Sequence, residues 1–162
     1  MSPTQFEISE TLGKLHRLAP SGYALGFHLQ YTTPKFVFQT YPKEWLDYYS
    51  SHGLLMVDPM VAWGFENTGT QRWSGLEDTS GVLKMASDHG MNYGVVIVTT
   101  SDDSRSIGGF ARSDREFTDE EIEELEADVI AIHDNTADTA KLDPEIVEHL
   151  KKMSIMVTHP GS

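Results

Sequence analysis

The chain has 162 residues with 25 acidic against 12 basic side chains, a formal net charge of −13 at pH 7. That length fits one domain able to bury roughly two-thirds of its unfolded surface, while so acidic a surface repels phosphate backbones and argues against nucleic-acid binding by this polypeptide. With no cysteine, disulfides, thiol catalysis and cysteine-bound metal are excluded.

No apolar run reaches the ~18 residues of a membrane-spanning helix. The N-terminus, MSPTQFEISE, lacks the basic start and apolar core of a secretory signal, so a cytoplasmic location is expected.

The first element reads as a helix. Ser2 can cap it, Pro3 suits the first helical position and Gln5 completes a capping box. Ile8, Leu12 and Leu15 form an apolar stripe at helical spacing, and Pro20, Ser21 and Gly22 end the segment. A hairpin pattern follows. From Tyr23 to Tyr31 the residues Tyr23, Leu25, Phe27, Leu29 and Tyr31 share one face, Thr32 to Pro34 make a turn, and Lys35 to Tyr41 return. On the return strand Phe36 and Phe38 take one side; Val37, Gln39 and Tyr41 take the other.

From Pro42 to Tyr49 the pattern is helical again. Asp58 can cap a further short helix with Pro59 in its first position. Residues Glu66 to Thr70 read as a loop leading to Trp73, and Asp78 or Thr79 is expected to start a helix carrying Val82, Leu83, Met85 and Ala86 that ends at Gly90. Val95 to Thr100 predicts a strand, and Ile107 to Ser113 its antiparallel partner, with Gly108-Gly109 marking a bulge or a close approach. Thr118 with Glu121 forms a capping box opening a long helix whose buried stripe is Ile122, Leu125, Val129 and Ile132. A short helix is expected from Asp143-Pro144. This order predicts an α+β fold, an α/β/α sandwich with a central antiparallel sheet of about five strands flanked by helices.

The segment from Tyr41 to Trp73 carries the chemistry. All three Trp residues (Trp45, Trp63, Trp73) and three of the six Tyr residues (Tyr41, Tyr48, Tyr49) lie within it. Tyr41, Trp45 and Tyr49 are spaced to stand in one column. The ordinary reading of such a column is a core stripe. Its phenol and indole handles, with Asp58 nearby, are costly to bury without partners, and a small amide-containing ligand would supply them. Asp58 equally reads as a simple helix cap. The seven His residues are scattered, with none at metal-ligand spacing, and His28 and His133 read as solvated. No Gly-x-Ser-x-Gly elbow or phosphate-binding loop is present, so an enzyme is not expected.

Tyr41-Pro42, Trp45, Tyr49, Asp58-Pro59, Trp73 and the Gly90 to Gly94 pair, together with FARSDREFTDEE from Phe110 to Glu121, resemble the autoinducer-binding domain of LuxR-type quorum-sensing regulators. The resemblance covers nearly the whole chain. It implies an N-acyl-homoserine lactone held between sheet and helices, with no other cofactor and no metal. By that likeness Trp45 donates to the lactone carbonyl, Asp58 accepts from the ligand amide, and Tyr41 donates to the acyl carbonyl. Tyr49 and Trp73 pack around the chain or ring, Gly94 permits close backbone approach, and Met60, Val61 and Met85 add apolar lining. The family's usual Ser or Thr before the final helix is replaced here by Gly109.

The implied organisation is a signal-binding domain over residues 1–140 and a C-terminal helix or linker over 141–162, leading toward a helix-turn-helix domain missing from this sequence. The expected role is the sensing domain of such a regulator, forming a homodimer or a heterodimer with a related regulator. The alternative is a stand-alone signal-binding antagonist that acts by heterodimerisation. Contact with a membrane is not expected.

Overall fold

A computed structural model describes residues 5–29, 36–101 and 104–137, with Pro144, Glu145 and Glu148 beyond them. The expected cap at Ser2, the Thr32 to Pro34 turn and nearly all of the 141–162 segment lie outside the described residues. Among the described residues the α-helices are α1 (Gln5–Leu18), α2 (Lys43–Ser51), α3 (Pro59–Glu66), α4 (Val82–Ser87) and α5 (Asp119–Asn135). The strands are β1 (Gly22–Leu29), β2 (Phe36–Gln39), β3 (Gly69–Arg72), β4 (Tyr93–Ser101) and β5 (Ser104–Arg112). They pair antiparallel throughout in the order β2-β1-β5-β4-β3, giving the expected sandwich.

Alternation along the strands sorts side chains onto two faces. Tyr23, Leu25, Phe27, Phe36, Phe38, Val95, Ile97 and Phe110 face α1 and α5, where they meet Leu12, Leu15, Leu125, Val129 and Ile132 in the principal core. Burying each large apolar side chain contributes ~1.5–3 kcal/mol, so this face holds the sheet to its outer helices. Helix α5 starts where the sequence places it: Thr118 accepts from Glu121 N–H, and the Glu121 side chain returns to Thr118 N–H. Asp119, Glu120 and Glu121 sit in its first turn, where the helix dipole favours them.

Three expectations are corrected. Residues 66–70 are not simply a loop, because β3 forms at Gly69 and pairs with Val95–Val98. Its sequence, GTQR, carries no apolar alternation, and main-chain pairing at the sheet edge is what orders it. The one-face alternation of β1 also stops early. His28 adopts a left-handed φ of 57°, the register with β5 shifts between Gly26 and Leu29, and Leu29 turns from the core face into the cavity described below. Of the two readings of Gly108-Gly109 the close approach holds: β4 and β5 pair in continuous register, and a side chain at Gly108 would collide with Leu25.

The third correction concerns histidine. His28 and His133 are buried, at 3% and 0% exposure, with ring centroids 4.5 Å apart. Hydroxyls from distant parts of the chain satisfy them. Thr136 donates to the Ile132 carbonyl, so its oxygen is free to accept from His28 Nε2 at 2.9 Å. Ser104 then donates to His28 Nδ1, Ser106 to His133 Nδ1 at 2.6 Å, and His133 Nε2 donates to Ser101 at 2.7 Å. This assignment gives every ring nitrogen a partner with both imidazoles neutral. Burial lowers the His133 pKa, in keeping with a neutral ring.

Candidate functional site

The second face of the sheet is poor in large side chains at its centre. Ala24 and Gly26 on β1 and Gly109 and Ala111 on β5 leave the floor nearly bare between Val37 and Gln39 of β2 and Val96 of β4. Helices α2, α3 and α4 lie over this floor and cannot close on it. The result is a cavity of about 490 Å³, within the range of small-molecule sites.

Its polar wall comes from the aromatic segment. Pro42 holds an extended φ/ψ as the N-cap of α2, so Tyr41 precedes the helix while Trp45 and Tyr49 rise from it, and all three line the cavity. The Trp45 and Tyr49 rings approach to 5.8 Å between centroids. Trp73, at the end of β3, lies flat against β4. A side chain at Gly94 would overlap its ring, so Gly94 serves the site by seating Trp73 and not by lining the cavity. Gly90, the other half of the pair, holds a left-handed φ of 86° that glycine supplies without strain.

Asp58 caps a helix and also reaches the cavity. One carboxylate oxygen caps α3 by accepting from Met60 N–H at 2.8 Å, and the other accepts from the Tyr49 hydroxyl at 2.8 Å. The side chain also lines the cavity at 3% exposure. Among the described residues no Lys, Arg or His forms an ion pair with it. Burial raises its pKa, against the opposing hydrogen bonds from Tyr49, Met60 and Val61. Each oxygen retains acceptor capacity, so a donor on a bound molecule would stabilise the charge.

Two donors in the wall have no hydrogen-bond partner among the described residues. The Tyr41 hydroxyl and the Trp73 indole N–H are buried without a hydrogen bond. An orphaned buried donor costs ~1–3 kcal/mol, and such groups gather where a ligand completes the bonding. Burial also pushes the Tyr41 and Tyr49 phenols far above their ordinary pKa, so both remain protonated donors.

Of the residues singled out in the sequence, Tyr41, Trp45, Tyr49, Asp58, Met60, Val61 and Trp73 come together around the cavity, while Met85 does not line it. Sequence reasoning missed the apolar stretch formed by Leu29, Val37, Leu55, Met56, Phe65 and Ile107. It also took Trp73 as packing alone, whereas its N–H is unsatisfied. Leu55, Met56 and Phe65 are exposed as well as cavity-lining, with Met56 at 87%, so the cavity opens through an apolar rim. Among the described residues no three His, Asp or Glu side chains gather to hold a metal ion, and no helix is long and apolar enough to cross a membrane.

The family model for the autoinducer binding domain matches residues 9–136. Among solved structures, Escherichia coli SdiA is similar with a TM-score of 0.61 and 22% identity, covering 88% of this chain and 66% of that one. SdiA in complex with octanoyl-rac-glycerol gives 0.60 and 21%, covering 88% and 64%. CepR2 from Burkholderia cenocepacia, an N-acylhomoserine lactone dependent LuxR-family transcription factor, gives 0.59 and 15%, covering 96% and 87%. The chain thus spans about two-thirds of the SdiA chains it matches. No curated protein sequence matches it. At these identities the structures speak for the fold, and the family model, which spans most of the chain, speaks for kinship. The chain belongs to the autoinducer-binding domain family, the signal-sensing, non-enzymatic module of LuxR-type quorum-sensing transcription regulators.

Proposed function

We propose that the cavity binds an N-acyl-homoserine lactone and that the chain is the sensing part of a LuxR-type regulator. The observation that carries this is the polarity of the wall: among the described residues, a buried carboxylate without a cation stands beside two buried donors without acceptors. An acyl amide on a lactone has the matching groups. Its N–H suits Asp58, its acyl carbonyl suits the Tyr41 hydroxyl, and its lactone carbonyl suits an indole N–H from Trp45 or Trp73. The tail suits the apolar stretch from Met60 and Val61 toward Leu29 and Phe65.

Three such bonds at ~1 kcal/mol each and several methylenes at ~0.8 kcal/mol each support micromolar or tighter binding. SdiA has been solved with octanoyl-rac-glycerol, also an acyl chain on a small polar head, but a glycerol ester offers Asp58 hydroxyls instead of an amide. CepR2, of similar fold, is an N-acylhomoserine lactone dependent LuxR-family transcription factor, which fits a lactone as the signal here.

Mass spectrometry of small molecules co-purified from lactone-producing cells, with calorimetry against acyl-homoserine lactones and acylglycerols, tests the reading. A bound acyl lactone with micromolar or tighter affinity is expected. Binding of acylglycerols alone, or of neither class, overturns it.

A further inference from the structure

One polar side chain in the cavity is unused by the ligand contacts above. Gln39 lies on β2, where Phe36 and Phe38 face the core, so Val37 and Gln39 face the cavity. It stands opposite Ala24 on β1, and Ala24 in turn stands opposite Gly109 on β5. With strands ~4.8 Å apart, these two residues give a floor about 10 Å wide with nothing larger than a methyl group on it.

The far end of that floor lies beneath Tyr41. A Cβ added to Gly109 would sit 3.1 Å from the Tyr41 hydroxyl oxygen and 3.4 Å from the Met60 sulfur. At the near end is the Gln39 carboxamide, one side-chain period along β2 from Tyr41, roughly 7 Å at the Cα atoms. Beyond it the cavity is lined by Val37, Leu29, Ile107 and Phe65. The Gln39 side chain makes no hydrogen bond among the described residues. A carboxamide has two donors and an acceptor, and facing it with hydrocarbon while water is displaced leaves them unpaired.

We propose that Gln39 is a specificity determinant that reads an oxygen, keto or hydroxyl, on the acyl chain close to the amide carbonyl held by Tyr41. The inference rests on the acyl-lactone reading and adds to it a preference for oxygenated over plain chains. Discrimination comes from rejection: a plain chain strands the carboxamide, and sites built to hydrogen-bond an oxygen discriminate strongly against ligands lacking it.

The test is calorimetric titration with N-decanoyl-homoserine lactone and its 3-oxo and 3-hydroxy derivatives, using the wild-type chain and Gln39→Met. Wild type should bind at least one oxygenated lactone about tenfold more tightly than the plain one. Gln39→Met, of similar length without the amide, should bring that ratio close to one while still binding the plain lactone. Gln39→Leu replaces it if circular dichroism shows a folding defect. Equal wild-type affinities, or a ratio that survives the substitution, overturns the role of Gln39 and leaves the lactone reading standing. Failure of all three lactones to bind overturns both.

Discussion

Deleting one oxygen from Tyr41 separates folding from binding, because the two should respond in opposite directions. The Tyr41 hydroxyl is buried and has no hydrogen-bond partner among the described residues. Tyr41→Phe removes it while keeping the ring that packs beside Gly22. Relief of an unsatisfied buried hydroxyl is worth ~1–3 kcal/mol, which for a chain of this size raises Tm by roughly 3–10 °C. In the proposed complex the same oxygen would donate to the acyl carbonyl, a net ~1 kcal/mol. Taking ~2 kcal/mol for the relief lost to the binding step, the two effects sum to ~3 kcal/mol, on the order of 100-fold in Kd. Differential scanning calorimetry without ligand and isothermal titration with an acyl lactone read the two quantities. A Tm that falls, or an affinity that stays within twofold, would refute the reasoning, since either means that the hydroxyl already has a partner or never meets the ligand.

Asp58→Asn should behave similarly for an electrostatic reason. A carboxyl raised by burial contributes stability that is complete below its ordinary pKa of 3.8 and is lost as pH rises through the folded value, so the ionised form costs stability at neutral pH. Asparagine can still accept from Met60 N–H and meet Tyr49. Urea unfolding at pH 7 should show a more stable variant, and calorimetry at least a tenfold loss of lactone affinity; a less stable variant with intact affinity would contradict both halves. His133 runs in the opposite direction. Its lowered pKa contributes stability present above its ordinary 6.5 and lost as pH falls toward the folded value. Unfolding free energy should therefore drop between pH 7.5 and 5.5 in wild type and vary less in His133→Asn; equal slopes would remove His133 as the source. Gly94→Ala should lower stability by ~1–3 kcal/mol through overlap with the Trp73 ring, seen as a lower Tm and altered tryptophan fluorescence, and an unchanged spectrum would argue against that contact.

Much of the fold was legible because its signals are local. Thr118 and Glu121 cap α5, Asp58 and Pro59 open α3, and the alternation of Tyr23, Leu25 and Phe27 marks the core face of β1; each depends on residues a few positions apart. What escaped depends on partners far along the chain. The His28–His133 pair is buried because Ser101, Ser104, Ser106 and Thr136 converge on it, and no local pattern announces four hydroxyls arriving from β4, β5 and the end of α5. Strand β3 escaped for a related reason, since an edge strand can be held by main-chain bonds to β4 without any apolar pattern of its own.

The site divides along the same line. Its polar half is compressed into one stretch of sequence, so the spacing of Tyr41, Trp45, Tyr49 and Asp58 on two helix starts exposed it. Its hollow is a matter of register. Ala24 and Gly109 look unremarkable in their own strands, and become a floor only when β1 and β5 pair them side by side beneath Tyr41 and Met60. A larger residue at either position would fill the space that the helices leave open. The polar wall and the room for a ligand are thus encoded separately, so under the proposed acyl-lactone reading substitutions on the floor would alter which acyl chain fits while leaving Asp58 and the aromatic wall in place for the head group.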